Sequence, residues 1–348
     1  MAPSARLRVL CTGGLGYIGS HTVVQLIEAG YDVLVADNLS NASPLVEDRI
    51  RKITNATDEQ LRLDLKDKQQ TMQLFKEERV DAVIHYAALK AVGESVQKPL
   101  SYYENNVGGT CNLLEAMQAM AASGVKCFVF SSSATVYAPK PESKINETDP
   151  LGPSNPYGHT KVMIEQILKA SGPFTNTAIP LIYFFKVQPE TLMPLATNIG
   201  ESPDQPNNLL PVIQHVAVGR RKCLQVYGND WETPDGTGVR DYLHVDDLAS
   251  GHLAALKKLL QAPGGTLLIH NLGTGRGYSV LELKKVFEEA SGKSIPHEVV
   301  GRRPGDLACV VADPTLAEKD FNWKATRTIE EACRSAWKWQ SSNPQGYA

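Results

Sequence analysis

The chain has 348 residues, 42% of them hydrophobic, and a formal net charge of −3. That is enough apolar material for one large core or two moderate ones, and it excludes a disordered chain as the starting expectation. Lys and Arg are dispersed rather than clustered, which argues against a nucleic-acid partner, and no apolar run approaches the ~20 residues of a membrane span. Residues 1–8 lack the apolar stretch of a secretory leader, so a cytoplasmic protein that engages no membrane is expected. The six cysteines, at 11, 111, 127, 223, 309 and 333, include no CxxC pair. Neither a metal site nor a disulfide framework is therefore expected, and buried reduced thiols are the plainer reading.

In chain order, short apolar runs at 7–12, 32–37, 60–65, 82–87 and 126–133 alternate with longer stretches of helical spacing. Runs rich in Val, Ile and Leu with little polar alternation read as strands buried on both faces. The strand-then-helix rhythm predicts an α/β fold built on a doubly wound parallel sheet, the Rossmann fold. Five prolines between 139 and 156 exclude a regular helix or central strand there and mark a long loop. Beyond about residue 180 the pattern is irregular, with loops around 189–211 and 228–238 and helical segments near Val212 and Leu248. The expected organisation is a Rossmann domain over 1–180, with a returning strand near 266–272, and a smaller mixed α/β substrate-binding domain over 181–348. No internal repeat and no low-complexity segment is visible.

The first strand runs into Thr12-Gly13-Gly14-Leu15-Gly16-Tyr17-Ile18-Gly19, with a helix predicted over 20–29. Glycines so spaced give a tight turn, a backbone close enough to a pyrophosphate to donate N–H bonds, and close packing of helix on strand. A plain structural turn explains such a cluster too. The second strand ends at Asp37, 18 residues past Gly19, where a carboxylate accepts hydrogen bonds from an adenosine ribose and repels a 2′-phosphate. That favours NAD over NADP, while a cap on the turn into Asn38-Leu39-Ser40 is the alternative reading of Asp37.

Tyr157 and Lys161 stand four apart, on one face of a helix. Alone the pair means little, since with 12 tyrosines about 0.7 such pairs arise by chance. Its weight comes from Ser133, at the predicted end of a strand 24 residues earlier, because strand ends of doubly wound sheets line the ligand crevice. A tyrosine of ordinary pKa near ~10 is a poor base at neutral pH, but a nearby ammonium and a positive nicotinamide ring favour the phenolate. Ser133 then hydrogen-bonds the reacting hydroxyl. A buried Ser beside an ordinary Tyr and Lys is the structural alternative.

Together these pieces resemble the UDP-galactose 4-epimerases of the extended short-chain dehydrogenase/reductase type. The similarity is carried by CTGGLGYIGSHT (11–22), VADNLSN (35–41), ALKAVGESVQKPLSYYENNVGGT (88–110), SSSATVY (131–137), GPSNPYGHTK (152–161), NNLLP (207–211), PDGTGVRDYLHVDDLASGH (234–252) and RRPGDL (302–307). KAVGES and DGTGVRDY are far more specific than any glycine motif. The resemblance implies an isomerase that interconverts UDP-glucose and UDP-galactose at C4, with NAD as cofactor and a 4-keto intermediate, working as a homodimer. It implies catalysis by Tyr157, Lys161 and Ser133. It implies cofactor contacts at Gly13, Gly16, Tyr17, Ile18, Gly19, Asp37, Asn38, Asp64, Leu65, Tyr86, Ala87, Lys90, Asn105, Ser133, Tyr157, Lys161 and Phe184. Substrate contacts are implied at Ser133, Tyr157, Asn208, Leu209, Gln225, Tyr227, Arg240, Arg303 and Asp306, the second domain being mainly the UDP-sugar-binding one. Arginine suits a diphosphate because its fork of donors binds phosphate oxygens in pairs, whereas each Arg read alone is a solvated surface charge.

The chain also departs from the family. Ile182-Tyr183-Phe184-Phe185-Lys186-Val187-Gln188 stands where members carry RYFNPVGAH, and the stretch to Gly200 is a few residues longer than the family pattern. Phe185 replaces an asparagine that hydrogen-bonds substrate in the family, so the expectation is impaired activity unless the longer loop rebuilds the contact. Ala138 stands where glycine is usual. Rival readings are a nucleotide-sugar dehydratase or decarboxylase, which needs an acid where this chain has Ser133-Ala134-Thr135, a 4-epimerase of another UDP-sugar, and an NAD-binding protein that has lost catalysis.

Overall fold

Each of the five apolar runs contributes a strand. The computed structural model describes residues 6–55, 59–119, 124–140, 144–174, 182–186, 199–202, 206, 208–303 and 306–347, with backbone alone at 59–60, 172–174 and 182–186. In chain order come β1 (Arg8–Thr12), α1 (Tyr17–Glu28), β2 (Asp32–Asp37), α2 (Leu45–Thr54), β3 (Glu59–Arg62), α3 (Lys68–Glu77), β4 (Ala82–His85), α4 (Val92–Gln97) and α5 (Pro99–Tyr102). A π-helical turn (Tyr103–Gly108) leads into α6 (Gly109–Ala119), followed by β5 (Cys127–Ser131), a 3₁₀ turn (Ala134–Val136), α7 (Pro156–Phe174) and β6 (Ile182–Lys186). Then follow α8 (Leu209–Ala217), β7 (Leu224–Tyr227), β8 (Val239–Asp241), α9 (Val245–Leu259), β9 (Leu267–Asn271), β10 (Gly277–Ser279), α10 (Val280–Ser291), β11 (His297–Val300), β12 (Cys309–Val310), α11 (Thr315–Phe321) and α12 (Ile329–Ser342).

Seven strands form one sheet in the order β3-β2-β1-β4-β5-β6-β9. The pairs from β3 to β6 are parallel, and β1 has β2 on one side and β4 on the other. The winding direction reverses at β1, which opens a crevice beyond the carboxyl ends of the strands. The doubly wound sheet expected from the sequence is therefore present. Its core joins Leu10, Leu34, Val83, Phe128 and Phe130 of the strands to Leu113 and Met117 of α6 and Ile164 and Leu168 of α7.

The residues cluster into two units. One comprises Met1–Val136, Pro153–Lys186 and Ala249–His270, and the other comprises Tyr137–Gly152, Val187–Leu248 and Asn271–Ala348. The second unit has its own core, in which Leu210 and Ile213 of α8, Leu224 and Val226 of β7, Leu283 and Phe287 of α10 and Cys333 and Ala336 of α12 pack together. Its helices α10 and α12 both start with a capping box, Ser279 with Glu282 and Thr328 with Glu331, which satisfies N–H groups the helix itself cannot.

Two boundaries differ from the sequence expectation. Helix α1 starts at Tyr17 rather than at residue 20 because Gly16, in extended conformation, is its N-cap. Strand β5 stops at Ser131, two residues before Ser133, because the Ser133 hydroxyl accepts the Thr135 N–H at 3.2 Å and closes a turn. In the proline-rich loop the Ala138 N–H bonds to the Pro150 carbonyl at 2.9 Å, and a Cβ on Gly152 would come within 2.8 Å of the Ala138 methyl. A side chain at 138 is thus accommodated because residue 152 has none.

Candidate active site

The turn after β1 is built at backbone contact. Gly13 adopts φ +68°, and a Cβ there would lie 2.6 Å from the Ala87 nitrogen, while a Cβ on Gly19 would lie 2.3 Å from the Gly13 carbonyl oxygen. Only hydrogen fits at either point. Helix α1 begins above this turn with Tyr17, Ile18 and Gly19 in its first turn, no side-chain cap from Gly16 and no acidic residue within that turn. The N–H groups at the start of α1 and its positive helix end fit an anionic pyrophosphate, so the chain's own geometry suits a dinucleotide such as NAD.

Asp37 caps the turn that follows β2, the alternative reading of this residue. Its Oδ1 accepts the Leu39 N–H at 2.9 Å, capping the turn in which Leu39 has φ +57° and the Ser40 N–H bonds to Asn38. Its Oδ2 accepts the Leu15 N–H at 3.1 Å, and Gly16 donates to it as well. Burial raises its pKa against these bonds. A carboxylate offers about four acceptor sites; three are taken by the glycine turn and the Leu39 turn, and the rest is available to a ribose hydroxyl.

The remaining cofactor candidates follow the carboxyl ends of successive strands. Asp64 caps Lys66 through a 3.0 Å bond, Leu65 lies beneath Gly109, the Tyr86 hydroxyl donates to Thr22 at 2.8 Å, and Ala87 abuts Gly13. Lys90 is exposed in the loop after β4, and Asn105 in the π-helical turn donates to Asn106 at 3.0 Å. Phe184 and Phe185 pair in backbone register with Phe130 and Ser131, so β6 runs unbroken through the point where the chain leaves the family pattern. The Phe185 side chain and the longer stretch at 187–198 lie outside the described residues.

Ser133, Tyr157 and Lys161 come together in the first unit, and all three are buried. Ser133 hydrogen-bonds the Tyr157 phenol. The Lys161 ammonium donates to the Ser131 carbonyl at 2.9 Å, lies 4.7 Å from the Phe130 ring centre and 5.9 Å from that of Tyr157. Burial pushes the Tyr157 phenol up to about 12, partly offset by Ser133, and pulls Lys161 down to about 7 against the pull of Glu165. The protein alone thus holds the phenol protonated, and the phenolate expected from the sequence needs a further positive charge.

Sequence reasoning missed the buried network behind this pair. Asn106 donates to Thr160 at 3.0 Å and to the Leu89 carbonyl at 3.0 Å, and Thr160 donates to the Tyr157 carbonyl at 2.7 Å. Thr110 gives its hydroxyl proton to the Asn106 carbonyl, so His85 Nε2, 2.9 Å away, must donate to it and Nδ1 must accept from Thr12. No motif spacing marks these residues. Their one signal is a polar side chain inside an otherwise apolar run, as His85 is in β4.

In the second unit, Asn208, Leu209, Gln225, Tyr227, Arg240, Arg303 and Asp306 all line one cavity of about 260 Å³. Arg303 stacks on Tyr227, its guanidinium 4.5 Å from the ring centre, and donates to Asp306 at 2.8 Å. Arg240 is fixed by bonds to the Val239 and Leu307 carbonyls at 2.8 and 2.9 Å. Asn208 is tied to Glu201 at 3.2 Å, and Gln225 accepts from the Tyr227 hydroxyl at 3.2 Å. Arg240 and Arg303, with Arg221 as a third guanidinium group on the same cavity, suit a nucleoside diphosphate. Arg221, Trp231 and Tyr242 also line this cavity and were not foreseen; a Trp in a glycine-rich loop was the available signal for one of them.

The reversal of the sheet at β1, the glycine turn and the buried Ser-Tyr-Lys set define a dinucleotide-binding α/β protein of the short-chain dehydrogenase class. A family model described as GDP-mannose 4,6 dehydratase matches residues 10–336. UDP-glucose 4-epimerase of Bacillus subtilis (strain 168) is 50% identical over 98% of this chain and 99% of its own, and UDP-glucose 4-epimerase 1 of Oryza sativa subsp. japonica is 53% identical over 99% and 98%. The crystal structure of UDP-glucose 4-epimerase from Bifidobacterium longum in complex with NAD+ and UDP superimposes with a TM-score of 0.90 at 43% identity, covering 98% of this chain and all of that one. The chain belongs to the UDP-glucose 4-epimerase family.

Proposed function

We propose that this protein is an NAD-dependent epimerase that interconverts UDP-galactose and UDP-glucose at C4 through a 4-keto intermediate. The observation that carries the reading is the buried Ser133–Tyr157 contact with Lys161 one turn further on, in a chain about half identical to UDP-glucose 4-epimerases over its whole length. Bound on the glycine turn, NAD supplies the hydride acceptor and donor and the positive ring charge that favours the Tyr157 phenolate. Tyr157 takes the proton of the sugar 4-hydroxyl and later returns it, Ser133 holds that hydroxyl in line, and the Lys161 ammonium stabilises the negative phenol oxygen. Asn208, Leu209, Gln225, Tyr227, Arg240, Arg303 and Asp306 bind the uridine diphosphate. Anchoring through the nucleotide leaves the sugar free to turn between the two transfers, which inversion at one carbon demands.

Although one matching family model is described by a dehydratase, the 133–135 segment reads Ser-Ala-Thr and offers no carboxylic acid for elimination of water. We extend the proposal to a cytoplasmic homodimer. Val92, Val96 and Leu100 on α4 and α5 and Met163 on α7 are exposed apolar residues on neighbouring helices of the first unit, the kind of surface a second copy covers. All six cysteines are free thiols, which suits a reducing compartment. Two measurements test the activity: formation of UDP-glucose from UDP-galactose with no added reductant, and release of near-stoichiometric NAD from the denatured protein. Release of NADP, or a requirement for added reductant, refutes it.

A further inference from the structure

Ser131 ends β5 and Ser132 and Ser133 follow it, and each of the three is linked to α7 at successive helical turns. Ser133 meets the Tyr157 phenol, the Ser131 carbonyl accepts the Lys161 ammonium at 2.9 Å, and the Ser132 hydroxyl donates to Glu165 Oε1 at 2.7 Å. Tyr157, Lys161 and Glu165 stand at intervals of four, so they share one helix face. Glu165 and Ser132 are buried, with Glu165 fully so at 0% exposure. A carboxylate taken out of water is costly unless it is hydrogen-bonded or balanced by charge, and this one has Ser132 for the first and Lys161 for the second.

We propose that Glu165 is a positioning residue of the reaction: through Ser132 it fixes the strand end that carries Ser131 and Ser133, and as a carboxylate it balances the buried Lys161 ammonium. The proposal rests on the reading of Tyr157 and Lys161 as the proton-transfer pair. Distance decides which of the two Glu165 influences more. Along the helix axis Lys161 is about 6 Å away and Tyr157 about 12 Å, so the attraction that keeps Lys161 protonated outweighs the repulsion that discourages the phenolate. Among the described residues, the titratable groups that interact with the pair from neighbouring elements are His85 of β4 and Tyr102 of α5, the latter bonded at 3.0 Å to Glu94 of α4. Buried His85 stays neutral across the working range, its pKa lowered to about 3, and Tyr102 is held protonated by burial and by Glu94. Glu165 is therefore the anion that shares the pair's own face of α7.

The test compares kcat, KM for UDP-galactose and the pH profile of kcat in Glu165→Gln, Ser132→Ala and the parent. Glu165→Gln keeps shape and an acceptor for Ser132 but removes the charge; kcat should fall about tenfold with KM within about twofold, and the alkaline limb should move down by about one pH unit. Ser132→Ala should lower kcat with the alkaline limb unmoved, because the charge remains. A Glu165→Gln protein with the parent's kcat and limb overturns the proposal, and so does a fully active Ser132→Ala protein should the glutamine variant not fold. Tyr157→Phe measured alongside separates the causes: if it too is fully active, the reading of the proton-transfer pair fails rather than the role of Glu165.

Discussion

Thr12 at the end of β1 and His85 at the end of β4 are register partners in the parallel sheet and are joined by a 2.6 Å hydrogen bond between hydroxyl and Nδ1. The bond closes a buried chain that continues through Thr110, Asn106 and Thr160 to the backbone of Tyr157, so the strand that opens the glycine turn and the helix that carries Tyr157 are tied to one imidazole.

That imidazole must be neutral, and stability should depend on pH accordingly. Burial first, and Lys161 second, lower the His85 pKa to about 3, whereas in the unfolded chain it takes a proton near ~6.5. Between these values the unfolded state binds more protons, so the contribution present above pH ~6.5 is lost as pH falls toward 3. Urea unfolding of the parent and of His85→Gln between pH 7 and 4 should show the parent losing on the order of a few kcal/mol more than the variant. Equal slopes would mean that His85 is hydrated in the folded chain.

Tyr157→Phe keeps the ring and removes the proton-transfer group. Turnover should fall by the ~100 to 10,000-fold typical of lost acid–base catalysis, while UDP binding measured by calorimetry stays within about twofold, because Tyr157 does not line the cavity proposed for the nucleotide. An unchanged rate would remove Tyr157 from the mechanism.

Asp37→Ala should have two separable effects. Loss of the carboxylate removes both the ribose acceptor and the repulsion of a 2′-phosphate, so the preference for NAD over NADP should relax. It also leaves the Leu15, Gly16 and Leu39 N–H groups without their acceptor, at a cost of about 1–3 kcal/mol in stability. Asp37→Asn should show most of the first effect and less of the second. A variant that loses stability with its NAD preference intact would make Asp37 only a turn cap.

Gly19→Ala should expel the cofactor. The added methyl would sit 2.3 Å from the Gly13 carbonyl and 2.8 Å from the Gly14 Cα, both main chain, so the turn must open, with overpacking costs of about 1–3 kcal/mol or more. Dinucleotide released from the denatured variant should drop well below stoichiometric, with far-ultraviolet circular dichroism near that of the parent. Full retention of NAD would show that the helix can slide away from the turn.

Local pattern made much of this protein legible. Buried parallel strands announce themselves as unbroken Val, Ile and Leu runs, so the sheet could be read from 7–12, 32–37, 82–87 and 126–133; a glycine turn between strand and helix is likewise a property of adjacent residues. Even here, ends depend on neighbours: β5 stops at Ser131 because the Ser133 hydroxyl closes a turn, and α1 starts early because Gly16 caps it.

What the sequence could not decide is which side chains share a space and what that space does to their charge. The four-residue spacing of Tyr157 and Lys161 put them on one helix face, but only the packing of α7 on β5 buries both, raises the phenol and lowers the ammonium. Arg240 and Arg303 read singly as surface charges, yet folding sets them around one cavity. Glu165, His85 and Asn106 were silent because their side-chain partners across the fold are 17 to 73 residues away. Periodicity reports which face of an element is buried; ionisation and hydrogen bonding depend on the atoms across the interface, and those are set only when the chain is folded.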